Sequence, residues 1–248
     1  MKRYDGKEII MDNYKIIYAE DNLYIIEEET VRAFLLLGSS KALLIDTGSN
    51  ITDMKSIVES ITDLPVMVVN THADGDHTNC NQQFDCIHMS PSEYAFYHNN
   101  VMRNDHLKPL WDGDVIDLGD RELIAVMNPG HTSGCMTFVD LKGRRIIGGD
   151  SIQNGRIFLF GPFRDLLAYV HTMRRMEQFI DKVDYVYPSH AQCPVKSDII
   201  PKLAAGVQAI IDRKITEYVE DEFMGTPIRV FDIGVAKILY EAHKEFFE

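Results

Sequence analysis

The chain has 248 residues, and 45% of them are hydrophobic, which is enough to bury the core of a full domain. Lys and Arg number 25 against 38 Asp and Glu, so the formal net charge at pH 7 is −13. This balance argues against nucleic-acid substrates and against a membrane-surface role, because both need basic residues to meet phosphate groups. The start of the chain lacks the apolar segment of a signal peptide, and no run is long and apolar enough to span a bilayer, so we predict a cytoplasmic protein.

Strand-like runs rich in Ile, Val, Leu and Tyr open the chain, and we predict a four-strand meander over residues 14–18, 23–28, 31–37 and 41–45. A helix follows over residues 51–61, with Asn50 or Thr52 as its cap. An apolar strand is then predicted at residues 65–70. We expect a short helix over 77–84, a strand over 86–89 and a helix over 91–98.

A second strand-rich block runs from residue 115 to 148. Helical spacing of apolar residues predicts helices over 165–180 and 197–219, the second interrupted near Pro201, and edge strands over 228–231 and 235–240. Two strand blocks, each followed by helices, predict an α+β fold: an αββα sandwich with two sheets face to face and helices outside. We predict a single domain over residues 1–248.

The most distinctive motif follows the strand at 65–70 and reads Thr71-His72-Ala73-Asp74-Gly75-Asp76-His77. Imidazole nitrogens and carboxylate oxygens are good ligands for divalent metals, and four such groups lie within six residues. In an extended loop, alternation would send His72, Asp74 and Asp76 to one side and His77 elsewhere, which favours two adjacent metals over one. The alternative interpretation is an ordinary acidic turn.

Three later motifs each place one more candidate ligand at the end of a predicted strand. His131 lies in the Pro-Gly loop at residues 128–134, Asp150 follows a Gly-Gly corner, and His190 ends the Pro-Ser-His segment after a strand. Ligands at one edge of a sheet can converge although they are far apart in sequence. The three motifs therefore strengthen the prediction of a metal site.

Taken in order over residues 22–190, these motifs resemble the metallo-β-lactamase-fold hydrolases, especially the glyoxalase II-like branch. The order is an Asp-Thr-Gly turn at Asp46, the metal loop, the Gly-His-Thr loop, the Gly-Asp corner and the final Ser-His. The resemblance implies the αββα metallo-β-lactamase sandwich of two mixed sheets. It also implies that Asp46 supports the metal loop without being a ligand.

The same resemblance implies a dinuclear centre with two ligand sets. The ligands of the first metal would be His72, Asp74 and His131, those of the second metal would be Asp76, His77 and His190, and Asp150 would bridge the two. We expect two divalent ions, zinc first, with iron or manganese as alternatives. A mononuclear centre is the other possibility, if Asp74 weakens the first site.

Asp74 departs from the usual loop of the family, His-x-His-x-Asp-His, in which a histidine stands at this position. A carboxylate there adds a negative charge, which should polarise a substrate less and shift metal preference toward iron or manganese. The diiron domain of flavodiiron proteins has a similar swap with Glu. That likeness opens an alternative function, a diiron oxidoreductase that reduces dioxygen or nitric oxide with electrons from a separate donor.

We predict a metal-dependent hydrolase that directs a metal-bound hydroxide at an ester-like small molecule. Thioesters, lactones and phosphodiesters fit the fold family, and the glyoxalase II-like order favours thioesters. Asp76 is the predicted catalytic residue, which would orient the hydroxide or pass a proton to the leaving group. The competing classes are the diiron oxidoreductase and a binding protein without chemistry. A homodimer is left open.

Substrate-binding residues are not identified, although two segments are candidates. Residues 94–111 include the only tryptophan, and residues 151–164 include Arg156, Phe158, Phe160 and Phe163. Aromatic residues with scattered cations could bind an organic anion. Ordinary packing of a surface loop is the alternative.

Overall fold

The computed structural model describes residues 8–100 and 106–241. The chain divides into two compact units, Met1–Met127 with Met136–Gly143, and Asn128–Cys135 with Arg144–Glu248. Among the described residues, none of the helices combines the length and apolarity needed to cross a bilayer.

The first unit is built on an eight-stranded sheet whose spatial order follows the chain. Its strands are β1 (Ile9–Ile10), β2 (Lys15–Glu20), β3 (Leu23–Glu27), β4 (Arg32–Leu37), β5 (Ala42–Ile45), β6 (Val66–Val69), β7 (Ile87–Met89) and β8 (Leu107–Pro109). Strands β1 to β5 form an antiparallel meander, and β5 to β8 are parallel. The carboxyl ends of β5, β6 and β7 therefore reach the same edge of the sheet.

Helices α1 (Met54–Ile61), α2 (Gly75–Thr78) and α3 (Tyr94–Asn100) belong to this unit, with 3-10 helices at Asn81–Gln83 and Pro91–Glu93. Helix α1 begins after Asp53, whose carboxylate accepts a hydrogen bond from the Ser56 amide at 3.1 Å. Its buried stripe packs on the sheet core. A three-strand antiparallel meander completes the unit: β9 (Val115–Asp117), β10 (Glu122–Met127) and β11 (Met136–Asp140).

The second unit contains the parallel strands β12 (Arg145–Gly149) and β14 (Tyr185–Pro188), with β15 (Val195–Lys196) antiparallel to β14. Helices α4 (Leu166–Met176) and α5 (Ile199–Ile211) pack on each other, and a 3-10 helix, Glu177–Lys182, continues α4. A separate sheet has the order β13-β18-β17-β16, formed by Arg156–Phe158, Lys237–Glu241, Thr226–Asp232 and Val219–Phe223.

Several boundaries predicted from the sequence were wrong. The predicted helix over 197–219 ends at Ile211, and Arg213 has a φ of +57°, which breaks the helical path before residues 219–223 form β16. Pro201 lies in the first turn of α5, where its missing N–H costs no hydrogen bond, so no break occurs. The strands predicted as edges are the central strands β17 and β18. The cap of α1 is Asp53, and neither Asn50 nor Thr52 has that role.

Candidate metal centre

Asp46 follows β5 and organises the metal loop of the first unit. Its backbone is in the left-handed region, at φ +64°, and its side chain is buried. One carboxylate oxygen accepts the Thr71 amide N–H at 2.8 Å, and the other accepts the Thr71 hydroxyl at 2.8 Å. The second oxygen also lies 2.8 Å from Nδ1 of His77. Asp46 therefore has the supporting role that the resemblance implied.

These bonds determine which ring nitrogens of His72 and His77 face outward. The Thr71 hydroxyl hydrogen is donated to Asp46, so its oxygen accepts Nδ1–H of His72 at 2.9 Å. Nδ1–H of His77 is donated to Asp46 itself. Each imidazole then presents Nε2 as the nitrogen with a lone pair. A metal-binding histidine usually donates its other ring N–H, here that of Nδ1, to such an acceptor.

Each of these histidines has a carboxylate beside Nε2. Asp74 Oδ2 lies 3.3 Å from Nε2 of His72, and Asp76 Oδ2 lies 3.7 Å from Nε2 of His77. Two ligands of one tetrahedral zinc ion, each about 2.1 Å from it, are about 3.4 Å apart. Both pairs are therefore spaced as ligands of one ion would be.

The backbone of the loop differs from the extended path predicted from the sequence. It is extended at Asp74 and then turns into α2, so Asp76 and His77 lie on the first helical turn. The helix begins at Gly75, two residues before the predicted start. The Asp74 side chain makes no capping hydrogen bond to α2. Its position beside His72 favours a ligand role over the alternative of an acidic turn.

Glu93 is a supporting residue that the sequence analysis missed. It ends the short 3-10 helix that follows β7, it is 1% exposed, and its carboxylate accepts the Ala73 amide at 2.9 Å. Asn70 also donates to the carbonyl of His77, at 3.1 Å. Asn70 was predicted as the last residue of a strand and Glu93 as part of a helix, so neither was recognised as a support of the metal loop.

The second unit brings His131, Asp150 and His190 together. Asp150 follows β12, and one of its carboxylate oxygens lies 3.6 Å from Nε2 of His131. The other oxygen lies 3.2 Å from Nε2 of His190, which follows the parallel strand β14. One carboxylate thus presents an oxygen to each of two imidazoles, which is the geometry a bridging ligand needs.

Outer contacts also orient this second group. Nδ1 of His131 donates to the carbonyl of Phe158 at 2.9 Å, which leaves Nε2 toward Asp150. Beyond Asp150, the hydroxyl of buried Tyr169 donates to the Ser151 carbonyl at 2.8 Å. Complete burial raises the pKa of Tyr169 far above its ordinary value, so this hydroxyl stays protonated. Neither Phe158 nor Tyr169 was predicted to support the site.

The donor set fits divalent metal ions. Nε2 nitrogens and carboxylate oxygens lie as far apart as two ligands of one metal ion. Nδ1 of His72, His77 and His131 is held by a hydrogen-bond acceptor in each case. Candidate metal ligands on loops that follow strands of an α+β fold are typical of metallohydrolases. The fold and the site therefore place the protein in this class of enzyme.

The family follows from comparison with known proteins. Residues 27–190, about two thirds of the chain, match the model of the metallo-beta-lactamase superfamily, so the chain belongs to this superfamily. The match covers nearly the same range as the resemblance found from the motifs. The predicted class of enzyme, a metallohydrolase of this fold, is confirmed.

Two curated relatives are thioesterases. The acyl-coenzyme A thioesterase MBLAC2 of Homo sapiens is 26% identical over 199 residues, which cover 63% of this chain and 71% of that protein. The atrochrysone carboxyl ACP thioesterase of Emericella nidulans is 23% identical over 177 residues, 70% of this chain and 53% of that protein.

Solved structures confirm the predicted fold. The crystal structure of the DIM-1 metallo-beta-lactamase matches with a TM-score of 0.65 at 14% identity, covering 80% of this chain and 98% of that one. The sec-alkylsulfatase Pisa1 from Pseudomonas sp. matches with a TM-score of 0.66 at 12% identity, covering 80% and 42%. The α+β metallo-β-lactamase fold is thus established, while the glyoxalase II-like branch and the division of ligands between two metals stay predictions.

Proposed function

We propose that this protein is a metal-dependent thioester hydrolase. The observation that carries the proposal is the pairing of each Nε2 with a carboxylate oxygen at the spacing of shared metal ligands. The two thioesterase relatives favour thioesters over the lactones and phosphodiesters that the sequence also allowed. A cytoplasmic location, a small-molecule substrate and the absence of nucleic-acid or membrane partners remain part of the proposal.

The proposed ligands are those of the sequence analysis. His72, Asp74 and His131 would hold one ion, and Asp76, His77 and His190 would hold the other. Asp150 would bridge them, because its two oxygens face His131 and His190, which belong to different sets. We propose two zinc ions, with iron or manganese as the alternatives that the extra carboxylate, Asp74, would favour.

When bound, the metals would lower the pKa of a water molecule and polarise the thioester carbonyl. Proton handling would then fall to a carboxylate, because Nδ1 of each buried histidine is hydrogen-bonded and Nε2 would be a metal ligand. Asp76 suits this role, since its side chain is 36% exposed against 20% for Asp74. It would take the proton of the attacking water and return it to the thiolate that leaves as the C–S bond breaks.

Metal content and activity test the proposal together. Protein purified anaerobically without added metal should contain close to two divalent ions per chain and hydrolyse acyl thioesters. Asp150→Asn should lose metal and at least about a hundredfold in kcat/KM. A matched control is Asp184→Asn, which removes an exposed carboxylate paired with Arg144. Full metal and rate in Asp150→Asn would reject the assignment of the bridge.

A second function, diiron oxidoreductase, is favoured by one observation, the Asp74 oxygen 3.3 Å from Nε2 of His72. An oxygen donor at this position suits iron better than zinc. Two irons per chain, dioxygen or nitric oxide reduction with a supplied donor, and no thioester hydrolysis would establish this function instead. Failure to retain any metal after reconstitution would reject both and leave a non-catalytic binding protein.

A further inference from the structure

The separate four-stranded sheet of the second unit is strongly curved. Its edge strands β13 and β16 have two strands between them, a separation of about 14 Å in a flat sheet. Yet Arg156 of β13 and Asp221 of β16 form an ion pair at 2.8 Å, and the rings of Phe158 and Phe223 are 4.9 Å apart. The sheet therefore curls so that one face is concave.

Apolar side chains line this concave face. Phe158, Phe160 and Phe223 contact one another with centroid distances of 4.9 to 5.8 Å. Ile228 and Leu239 form a buried floor beneath them, whereas Phe158 and Phe223 are only partly buried. Two of the three rings thus still present apolar surface to the outside.

Met224 follows Phe223 in the chain, at the tip of the hairpin between β16 and β17. It is 92% exposed, the highest value among the large hydrophobic side chains described. Its φ is +49° and that of Gly225 is +80°, a turn conformation in which Asn and Gly are favoured and a side chain such as Met is disfavoured. Neither burial nor backbone conformation favours a methionine here, and its exposed side chain is available to a ligand.

The same surface begins next to a candidate metal ligand. The carbonyl of Phe158 accepts Nδ1–H of His131 at 2.9 Å. We call four residues the apolar strip: Phe158, Phe160, Phe223 and Met224. The strip begins on β13, whose Phe158 carbonyl orients His131, and ends at the tip of the hairpin. A substrate whose reacting carbonyl lay near His131 could lay an apolar chain along the strip.

We propose that the apolar strip binds the acyl chain of the thioester substrate, an inference that rests on the proposed function. Charge favours this occupant. Strand β16 carries the exposed carboxylates Glu220 and Glu222, while the charge of Asp221 is balanced by its ion pair with Arg156. The two remaining carboxylates would repel an anionic membrane or the phosphate-bearing carrier of a thioester. A neutral hydrocarbon chain would not be repelled. The flexible thioether of Met224 also suits chains of different length.

The test compares dodecanoyl-CoA with butanoyl-CoA as substrates. Wild-type kcat/KM should be at least about tenfold higher for the longer chain, since each methylene that leaves water can contribute up to about fourfold. Met224→Asn and Phe223→Leu should each lower this ratio by about threefold or more. Met224→Asn should also raise the melting temperature, because Asn tolerates the left-handed turn. Val115→Thr makes a matched change at a residue of β9 that is 55% exposed, and it should leave the ratio unchanged.

The outcomes separate this inference from the proposed function. If the wild type hydrolyses thioesters and the ratio is unchanged in both strip variants, the strip is rejected and the hydrolase stands. This role is likewise rejected if Met224→Asn alters only the oligomeric state or the binding to neutral lipid vesicles.

If no thioester is hydrolysed, the proposed function fails. Binding of a non-hydrolysable dodecyl-CoA thioether, measured by calorimetry, then tests the role of the strip. Binding weakened about fivefold or more by Met224→Asn would support it, and equal binding would reject it.

Discussion

At the scale of single residues, one carboxylate controls two candidate ligands. Asp46 accepts hydrogen bonds from Thr71 and His77 directly and from His72 through the Thr71 hydroxyl. Its left-handed backbone conformation turns the chain so that the carboxylate lies beneath the metal loop. Among the common residues, Asp and Asn tolerate that conformation well and also have a side-chain oxygen.

Asp46→Asn should weaken metal binding while the fold is retained. The amide keeps the shape and the backbone tolerance but removes the charge that holds His77, and loss of such an outer acceptor costs about 10–100-fold in metal affinity. Competition with a chromophoric chelator measures the affinity, and the circular dichroism spectrum of the metal-free protein checks the fold. Unchanged affinity with an intact fold would show that Asp46 does not orient the ligands.

Asp74→His should restore the usual donor set of the family and raise the affinity for zinc relative to manganese. The ratio of the two bound metals, after equilibration with an equal mixture, measures this preference. Asp12→His provides the control, because Asp12 is exposed and lies far along the chain from the loop. A ratio that changes equally in both variants would mean that Asp74 is not a ligand.

At the scale of elements, the hairpin of β2 and β3 has a built-in response to acid. Burial acts to raise the pKa of Glu27, but hydrogen bonds from Lys15 and Arg32 and their charges hold that pKa below its ordinary value. A carboxyl with a lowered pKa in the folded state stabilises the fold above its unfolded pKa, near 4.5, and loses this contribution as the pH falls through the folded value.

Glu27→Gln should therefore flatten the pH dependence of unfolding below about pH 5. Urea unfolding at several pH values, with metal removed, gives the free energies that are compared. Wild-type stability should fall more steeply than that of the variant as the solution is acidified. Glu29→Gln serves as the control, because Glu29 is exposed in the turn that follows β3. Parallel pH profiles for Glu27→Gln and wild type would contradict the prediction.

Elements with a strong local pattern were predictable, and those set by distant partners were not. Strands β2 to β6 and helix α1 were found from apolar runs within a few residues of their observed ends, since burial dictates those runs. Strands β8 and β13 have three residues each and were missed. Strand β16 was missed as well, because its residues alternate weakly and are held in a strand by pairing with β17.

The candidate ligands were predictable because metal chemistry needs His and Asp at strand ends, whereas their supports were not. The carbonyl of Phe158 bonds a histidine 27 residues away, and Glu93 bonds an amide 20 residues away. Every residue has a backbone carbonyl, so a sequence does not show which carbonyl accepts a hydrogen bond. A sequence also does not distinguish a buried glutamate from an exposed one. Of the proposed substrate segments, residues 101–105 lie outside the described residues.

At the scale of the whole molecule, the net charge of −13 opposes an anionic substrate. If acyl-CoA is hydrolysed, kcat/KM should rise from about 0.01 M to about 0.15 M salt, as the Debye length falls from about 30 Å to about 8 Å and repulsion is screened. An uncharged N-acetylcysteamine thioester should show no such rise. A rate for acyl-CoA that falls with salt would instead reveal a local cationic binding site.

The bond between His131 and Phe158 has a consequence beyond metal binding. Strand β13 is an edge strand: the Leu159 amide bonds inward to Leu239, at 2.9 Å, so the Phe158 carbonyl points away from the sheet. An open edge of this kind is a template on which another chain can add a strand. His131 occupies that acceptor, so we expect the residue proposed to hold a metal also to protect this edge from strand addition. Substitution of His131 should therefore produce polymers that elute early from a sizing column, in addition to lowering thioester hydrolysis.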